Sequence, residues 1–452
     1  MVYQQEATTT TRTSVELFAG GGGLAMAVHN VGFRPLLFNE FNERACQTLE
    51  ASARTTLASD GVHRIDDPRP TPPEPGSSVP LYAGDVQELD MRGLVGKVDV
   101  LAGGPPCQPF SAGGVARGDE DKRNMFPAMF EAIRQMRPKA VICENVRGLL
   151  RPSFEGYFGY IQNELRLPFL LREPKDLPWT DHNANLEAEL RRTPDDTENP
   201  DHYKLVTVPV NAAEYGVPQM RNRVVLIAFR ADVRVDVEAF EKYVKTKQFS
   251  EDALYRSMRD GDYWDRHKNV PAHVRQNVLD RLPKVIKDDD LKPFRTLRDA
   301  IAGYGTDAGW DYDGEQTEEK LPALPPIESP ADLKSLVSKP DFGALLGITG
   351  HIGWPGARIY KGHTPNELDR PAKTVKAGVH GVPGGESVML LDSGEHRYMT
   401  VRETARVMTF PDKWVGSGPR GEQMRQLGNA VPVVLGEFFA KAVANALDAA
   451  ER

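Results

Sequence analysis

Apolar residues in the first third of the chain come in short runs, separated by stretches with helical spacing. The run SVELF (14–18) predicts a strand; AGGGG follows it, then LAMAVHNVG, where Leu24, Ala27, Val28 and Val31 share one helical face. PLLFNE (35–40) predicts a second strand ending at Glu40, and a helix carrying Ala45, Thr48 and Leu49 comes next. LYAG (81–84) leads to Asp85, VDVLAGG (98–104) leads to PPCQPFS, and AVICENV (140–146) contains Glu144. Strands separated by helices imply an α/β fold with a parallel sheet covered on both faces. Two stretches break the pattern. Residues 60–80 are rich in proline and polar side chains and predict an exposed loop; residues 174–201 predict a polar insertion with one helical turn around 185–191.

In an open parallel sheet, ligands collect at the carboxyl ends of the strands. The glycines at 20–23, Glu40, Asp85, Cys107 and Glu144 each fall at such an end, on successive predicted strands. The glycine run is a tight strand-to-helix turn that either admits a ligand or merely packs. Glu40 and Asp85, taken singly, could be any carboxylates at strand ends. Together and in this order the three favour an adenosine-containing cofactor. Cys107 lies between prolines and glycines on a loop at the ligand edge, where a thiolate could act as nucleophile. Cys46 and Cys143 fall within a predicted helix and strand and read as structural.

GGPPCQPFS resembles the Pro-Cys-Gln nucleophile motif of the C5-cytosine-specific DNA methyltransferase family, and ENV (144–146) its Glu-Asn-Val motif. QMRNR (219–223) is similar to the family's Gln-x-Arg-x-Arg, FAGGGG (18–23) to its cofactor turn, and QLGNAVPV (426–433) to its Gly-Asn-x-Val element. RPAKTVKAG (370–378) and MTVRETARVMTFPD (399–412) resemble the motif that supports the recognition domain and its sequel. The resemblance covers roughly residues 14–230 and 365–450, in family order.

It implies a Rossmann-like, S-adenosylmethionine-dependent methyltransferase sheet with a smaller, mixed target-recognition domain. The catalytic part would span 1–230, the recognition domain 231–369, and the return to the catalytic domain 370–452. Cys107 would attack C6 of a flipped cytosine in duplex DNA, and Glu144 would protonate or hydrogen-bond N3. Arg223 would approach the base carbonyl, with Arg221 beside it. For the cofactor, S-adenosyl-L-methionine, the resemblance assigns Phe18 near the adenine and Ala19, Gly20, Gly21, Gly22 and Gly23 at the methionine end. Glu40 would hold the ribose and Asp85 the adenine amino group. Pro105 and Asn429 complete the pocket. Four consecutive glycines are more than the family turn requires.

Gln108, Ser111, Arg117 and Arg123 follow the nucleophile and are the expected DNA contacts of a closing loop. A net charge of −8 argues against a nucleic-acid partner until its distribution is considered. Residues 256–298 hold 11 Lys/Arg against 7 Asp/Glu and residues 351–378 hold five against two, while 300–343 carries nine acids and three bases. The two basic stretches could line a DNA cleft. In the second, HIGWPGARIYKGHT presents Arg358 and Lys361 as base readers, or else forms a surface hairpin. A tRNA cytosine-5 methyltransferase would share every catalytic motif. A non-catalytic DNA-binding relative fits less well with the intact Cys107, Glu144 and Arg223 set, and a nicotinamide dehydrogenase would not explain the motifs together.

Three cysteines fit neither a disulfide framework nor a metal site. No apolar run approaches bilayer length, and the polar N-terminus lacks a signal-peptide core, so the expectation is a cytoplasmic enzyme without a membrane partner. No nuclease motif stands in the chain. A role in restriction or phage defence would therefore need other subunits.

Overall fold

In a computed structural model of the chain, the residues described are 12–57, 61–106, 124–193, 198–287, 289–303, 349–351, 353, 364–377 and 387–452. Short apolar runs form the strands of the main sheet: β1 (Thr13–Leu17), β2 (Arg34–Asn39), β3 (Val62–Ile65), β4 (Val79–Tyr82), β5 (Val100–Gly103), β6 (Ala140–Val146), β7 (Tyr203–Asn211) and, after the two-residue β8 (Gln219–Met220), β9 (Asn222–Arg230). The eight-stranded order is β3-β4-β2-β1-β5-β6-β9-β7. Neighbours from β3 to β6 run parallel, whereas β9 lies antiparallel between β6 and β7. The central strands are buried along their length, as expected where helices cover both faces.

Helix α1 (Gly23–Asn30) leaves the glycine turn, and α2 (Glu43–Thr56) is started by Asn42, whose side chain accepts from the Arg44 and Ala45 N–H groups. Ala45, Leu49, Ser52, Ala53 and Thr56 form its buried stripe. Helices α3 (Phe126–Met136), α4 (Glu155–Arg166) and α5 (Trp179–Arg192) continue the α/β part. Two sequence expectations need correction here. The proline-rich stretch 60–80 supplies an edge strand, β3, paired in parallel with β4. The polar insertion holds a full helix, α5, docked by His182 and Leu186, with His182 Nε2 at 3.2 Å from Glu164 Oε1. Polar composition hid both, because β3 fully buries no side chain and α5 only two.

After β9 the chain becomes helical. Helix α6 (Val237–Lys245) packs Phe240 and Val244 into the same core as Phe229. Helices α7 (Glu251–Asp260), α8 (Asp262–Arg266) and α9 (Ala272–Leu279), with short strands β10 (Phe249–Ser250) and β11 (Lys292–Pro293), surround a satellite core of Leu254, Met258, Tyr263, Trp264 and Phe294. Helix α10 (Leu297–Ile301) then rejoins the core that holds Phe410 and Trp414. Arg298 ties this region forward, pairing with Asp369 at 2.6 Å and Asp392 at 2.7 Å. The C-terminal block contributes β12 (Asn366–Glu367), β13 (Ala372–Lys373), β14 (Val388–Leu390), β15 (His396–Tyr398) and helices α11 (Val401–Val407), α12 (Arg420–Asn429) and α13 (Val433–Ala450).

The stretch Arg420–Ala450 is long and apolar enough, by length and composition, to cross a membrane, contrary to the reading of the sequence. Its most apolar window is 78% buried inside the fold. Its apolar face lies against α1, where Gly436 comes so near Ala27 that a Cβ there would stand 2.6 Å from the alanine methyl.

Candidate active site

Strand β1 ends in a turn with an unusual backbone. Phe18 has φ 58°, a left-handed conformation that costs a non-glycine residue, and Gly20 and Gly22 have φ 56° and 90°. The Ala19 N–H donates to Asn39 O (3.0 Å) and the Gly22 N–H to Ala19 O (2.9 Å), which fixes the turn against β2. Gly23 is required by a neighbour, since a Cβ there would sit 2.3 Å from the Val431 carbonyl. Gly21 lies under Trp414, whose Nε1–H donates to Gly21 O at 2.9 Å. The four glycines thus divide between left-handed backbone and close approach of the C-terminal block. A Cβ at Gly20 would meet nothing within 4 Å, so open space lies beside the turn.

Glu40 sits at the end of β2. Its Oε2 accepts from the Gly20 N–H and its Oε1 from the Asn42 N–H, both at 2.7 Å. The carboxylate is therefore oriented by backbone donors while remaining half-exposed. Asn39 donates to Tyr82 O (3.2 Å) and Gly84 O (2.9 Å), drawing the end of β4 toward Glu40. Asp85 follows, accepting from the Gln87 N–H at 3.0 Å. Phe41, missed by the sequence reading, stands next to Glu40 with 77% of its surface exposed. A large aromatic beside a carboxylate that faces a glycine turn is the sign that could have drawn attention to it. A purine–ribose ligand fits this set: carboxylates for hydroxyl and amino donors, an aromatic face, and a turn open enough to admit a chain.

At the β5–β6 end, Asn145 donates through Nδ2 to Pro105 O at 3.1 Å, and Met125 N donates to Pro106 O at 3.4 Å. The loop between Pro106 and Asn124 therefore begins and ends at one place. A Cβ at Gly104 would lie 3.7 Å from Glu144 Oε2, so that loop departs from beside the buried Glu144 carboxylate. Arg223 approaches from the neighbouring strand, its Nε 2.9 Å from Glu144 Oε1, as an ion pair without an aligned hydrogen bond.

Arg221, which the sequence places beside Arg223, lies within electrostatic reach of Arg223 and Glu144, but its guanidinium bonds elsewhere. It is fully buried, donating from Nη1 to Val375 O (3.0 Å) and from Nη2 to Gly428 O (2.9 Å) and Ala430 O (2.8 Å). Burial, with the nearby Arg223 charge, pushes its guanidinium well below the ordinary arginine range. Asn429 lies exposed at the end of α12, between two of those carbonyls. Cys46 and Cys143 are both buried. Burial pushes the Cys46 thiol up to about 12 and raises that of Cys143 as well, so neither is a thiolate at neutral pH. Cys107, Gln108, Ser111, Arg117, Arg123, Arg358 and Lys361 lie outside the described residues.

The sheet, the glycine turn, the acids at its strand ends and a buried Glu–Arg pair on neighbouring strands define the α/β class of the protein. The family model for C-5 cytosine-specific DNA methylase matches residues 77–167 and 187–445. The chain belongs to this family and is a DNA (cytosine-5-)-methyltransferase. It is 28% identical over 440 residues to the Type II methyltransferase M.Eco47II of Escherichia coli, covering 96% of this chain and 79% of that protein. With M.NgoMIV of Neisseria gonorrhoeae it shares 32% identity over 437 residues, covering 96% and 98%. A solved structure of a prophage-encoded E. coli protein has the same fold at TM-score 0.51 and 18% identity, covering 97% of this chain and 99% of the other.

Proposed function

We propose that the enzyme methylates C5 of a flipped cytosine in a specific duplex DNA sequence, using S-adenosylmethionine and a covalent adduct through Cys107. The observation that carries this reading is the Glu144–Arg223 pair at the root of the loop that bears Cys107. When bound, the cofactor supplies an electrophilic methyl group. Glu40 would hold the ribose hydroxyls, Asp85 the adenine amino group, and Phe41 the adenine face, a role added to that proposed for Phe18.

Cytosine C5 is a poor nucleophile. The Cys107 thiolate forms an S–C6 bond, and Glu144 puts a proton or hydrogen bond on N3, so the electron pair moves to C5, which then takes the methyl group. Arg223 holds the Glu144 side chain and would approach the base carbonyl. Loss of the C5 proton to a base or water re-forms the C5–C6 double bond as the S–C6 bond breaks and the thiolate leaves, and a proton placed on N3 returns to Glu144. The target must leave the stack first, at on the order of a few kcal/mol, which contacts from Gln108, Ser111, Arg117 and Arg123 would offset. Arg358 and Lys361 are proposed to read bases in the recognition domain, 231–369. The resemblance to Type II methyltransferases supports a role in restriction–modification, with a separate nuclease as partner.

The test is methyl transfer from labelled cofactor to a randomised duplex library and, in parallel, to transfer RNA. Label in duplex cytosine at one sequence context supports the reading, and Arg358→Ala should relax that context. Label confined to transfer RNA would replace it with the RNA alternative.

A further inference from the structure

We infer that Arg221 is a positioning residue that locks the Asn429 turn and the Val375 segment to the strand carrying Arg223, so that the cofactor turn and the base-facing pair are built as one unit. Gln219 and Arg221 both act on Val375, a residue from the other half of the chain. Gln219 Oε1 accepts from the Val375 N–H at 3.1 Å, and Arg221 Nη1 donates to the Val375 carbonyl at 3.0 Å. Strand β13, just before Val375, pairs with β8. The backbone of Arg221 is pinned too: its N–H donates to Asn211 Oδ1 (3.2 Å), and its carbonyl accepts from the Ala212 N–H (2.8 Å).

The other hand of Arg221 holds the end of α12. Terminal helix carbonyls have no partner within the helix and carry the negative end of its dipole, so a buried cation there satisfies both. Gly428 makes the three-way junction possible, since a Cβ there would stand 2.4 Å from Ala377 N. One residue beyond Ala430, the Val431 carbonyl presses on Gly23. In the other direction, Arg221 directly precedes β9, and Arg223, two residues on within that strand, meets Glu144. A continuous chain of contacts thus runs from the glycine turn through Val431, Gly428 and Arg221 to Arg223.

The decisive variant is Arg221→Lys, which keeps a cation but cannot span three carbonyls. Hydrogen–deuterium exchange without any ligand should show faster exchange in three separate segments, 20–23, 375–377 and 428–431, while the melting transition remains cooperative. Affinity for S-adenosylhomocysteine, measured by calorimetry, should fall about tenfold or more, the scale of losing hydrogen bonds to a charged group. Arg221→Met, if it folds, should show the same pattern more strongly. Faster exchange in one segment only, or coupled exchange with unchanged affinity, would overturn the inference. The affinity arm rests on the proposed cofactor. Failure of the wild-type protein to bind it would refute that reading instead, and the exchange arm would still decide whether the three segments are coupled.

Discussion

Glu144 and Arg223 stand diagonally across the antiparallel β6–β9 ladder, where Glu144 pairs with Val225 and Arg223 with Val146. Diagonal neighbours on one face are within reach of long side chains, and here the charged ends meet at 2.9 Å. Glu144→Gln preserves shape but removes the acid. Methylation should fall by about 10²-fold or more with the far-ultraviolet circular dichroism unchanged. Near-normal rates would show that N3 is protonated from elsewhere.

The raised thiols of Cys46 and Cys143 predict chemical silence. Native protein treated with iodoacetamide at neutral pH should be alkylated at neither residue, and Cys46→Ser and Cys143→Ser should keep methylating. Peptide mapping after alkylation provides the check.

A methyl group at Gly23 must displace the backbone carbonyl of Val431. Gly23→Ala should cost about 1–3 kcal/mol of stability by overpacking and weaken cofactor binding as the turn shifts. Denaturant unfolding and calorimetry would measure the two effects. A variant with wild-type stability would mean that the C-terminal block does not seat on the turn.

Much of this arrangement was legible in the sequence, because a glycine run, strand-end acids and alternating periodicity are local signals. The role of Arg221 was not. QMRNR presents two arginines of equal chemistry, and only the tertiary fold sends one to three carbonyls more than 150 residues away and the other to Glu144. Edge strand β3 and helix α5 were hidden for a related reason: few of their side chains are buried, so polarity masked them.

Glu437, on α13, predicts a pH dependence of stability. Burial raises its carboxyl to about 7, although Asn30 Nδ2 donates to it at 2.6 Å. The folded state then keeps a proton that the unfolded chain has lost, so this group's contribution is most favourable below the unfolded value and declines as pH rises to about 7. The loss is on the order of 3 kcal/mol. Glu437→Gln should remove that slope, so urea unfolding would show its advantage over wild type growing from about pH 4.5 to 7 and then levelling. A difference constant with pH would show that the carboxyl is not protonated in the folded protein.

The proposed covalent bond between Cys107 and the target cytosine can be trapped with a duplex carrying 5-fluorocytosine. Fluorine at C5 cannot leave as a proton does, so the enzyme should stop as a methylated, denaturation-resistant adduct. Mass spectrometry of the digested complex should find the nucleotide on the peptide containing Cys107 in wild type, Cys46→Ser and Cys143→Ser, and no adduct in Cys107→Ser. An adduct that persists in Cys107→Ser, or methyl transfer to unmodified duplex by that variant at wild-type rate, would exclude Cys107 as the nucleophile.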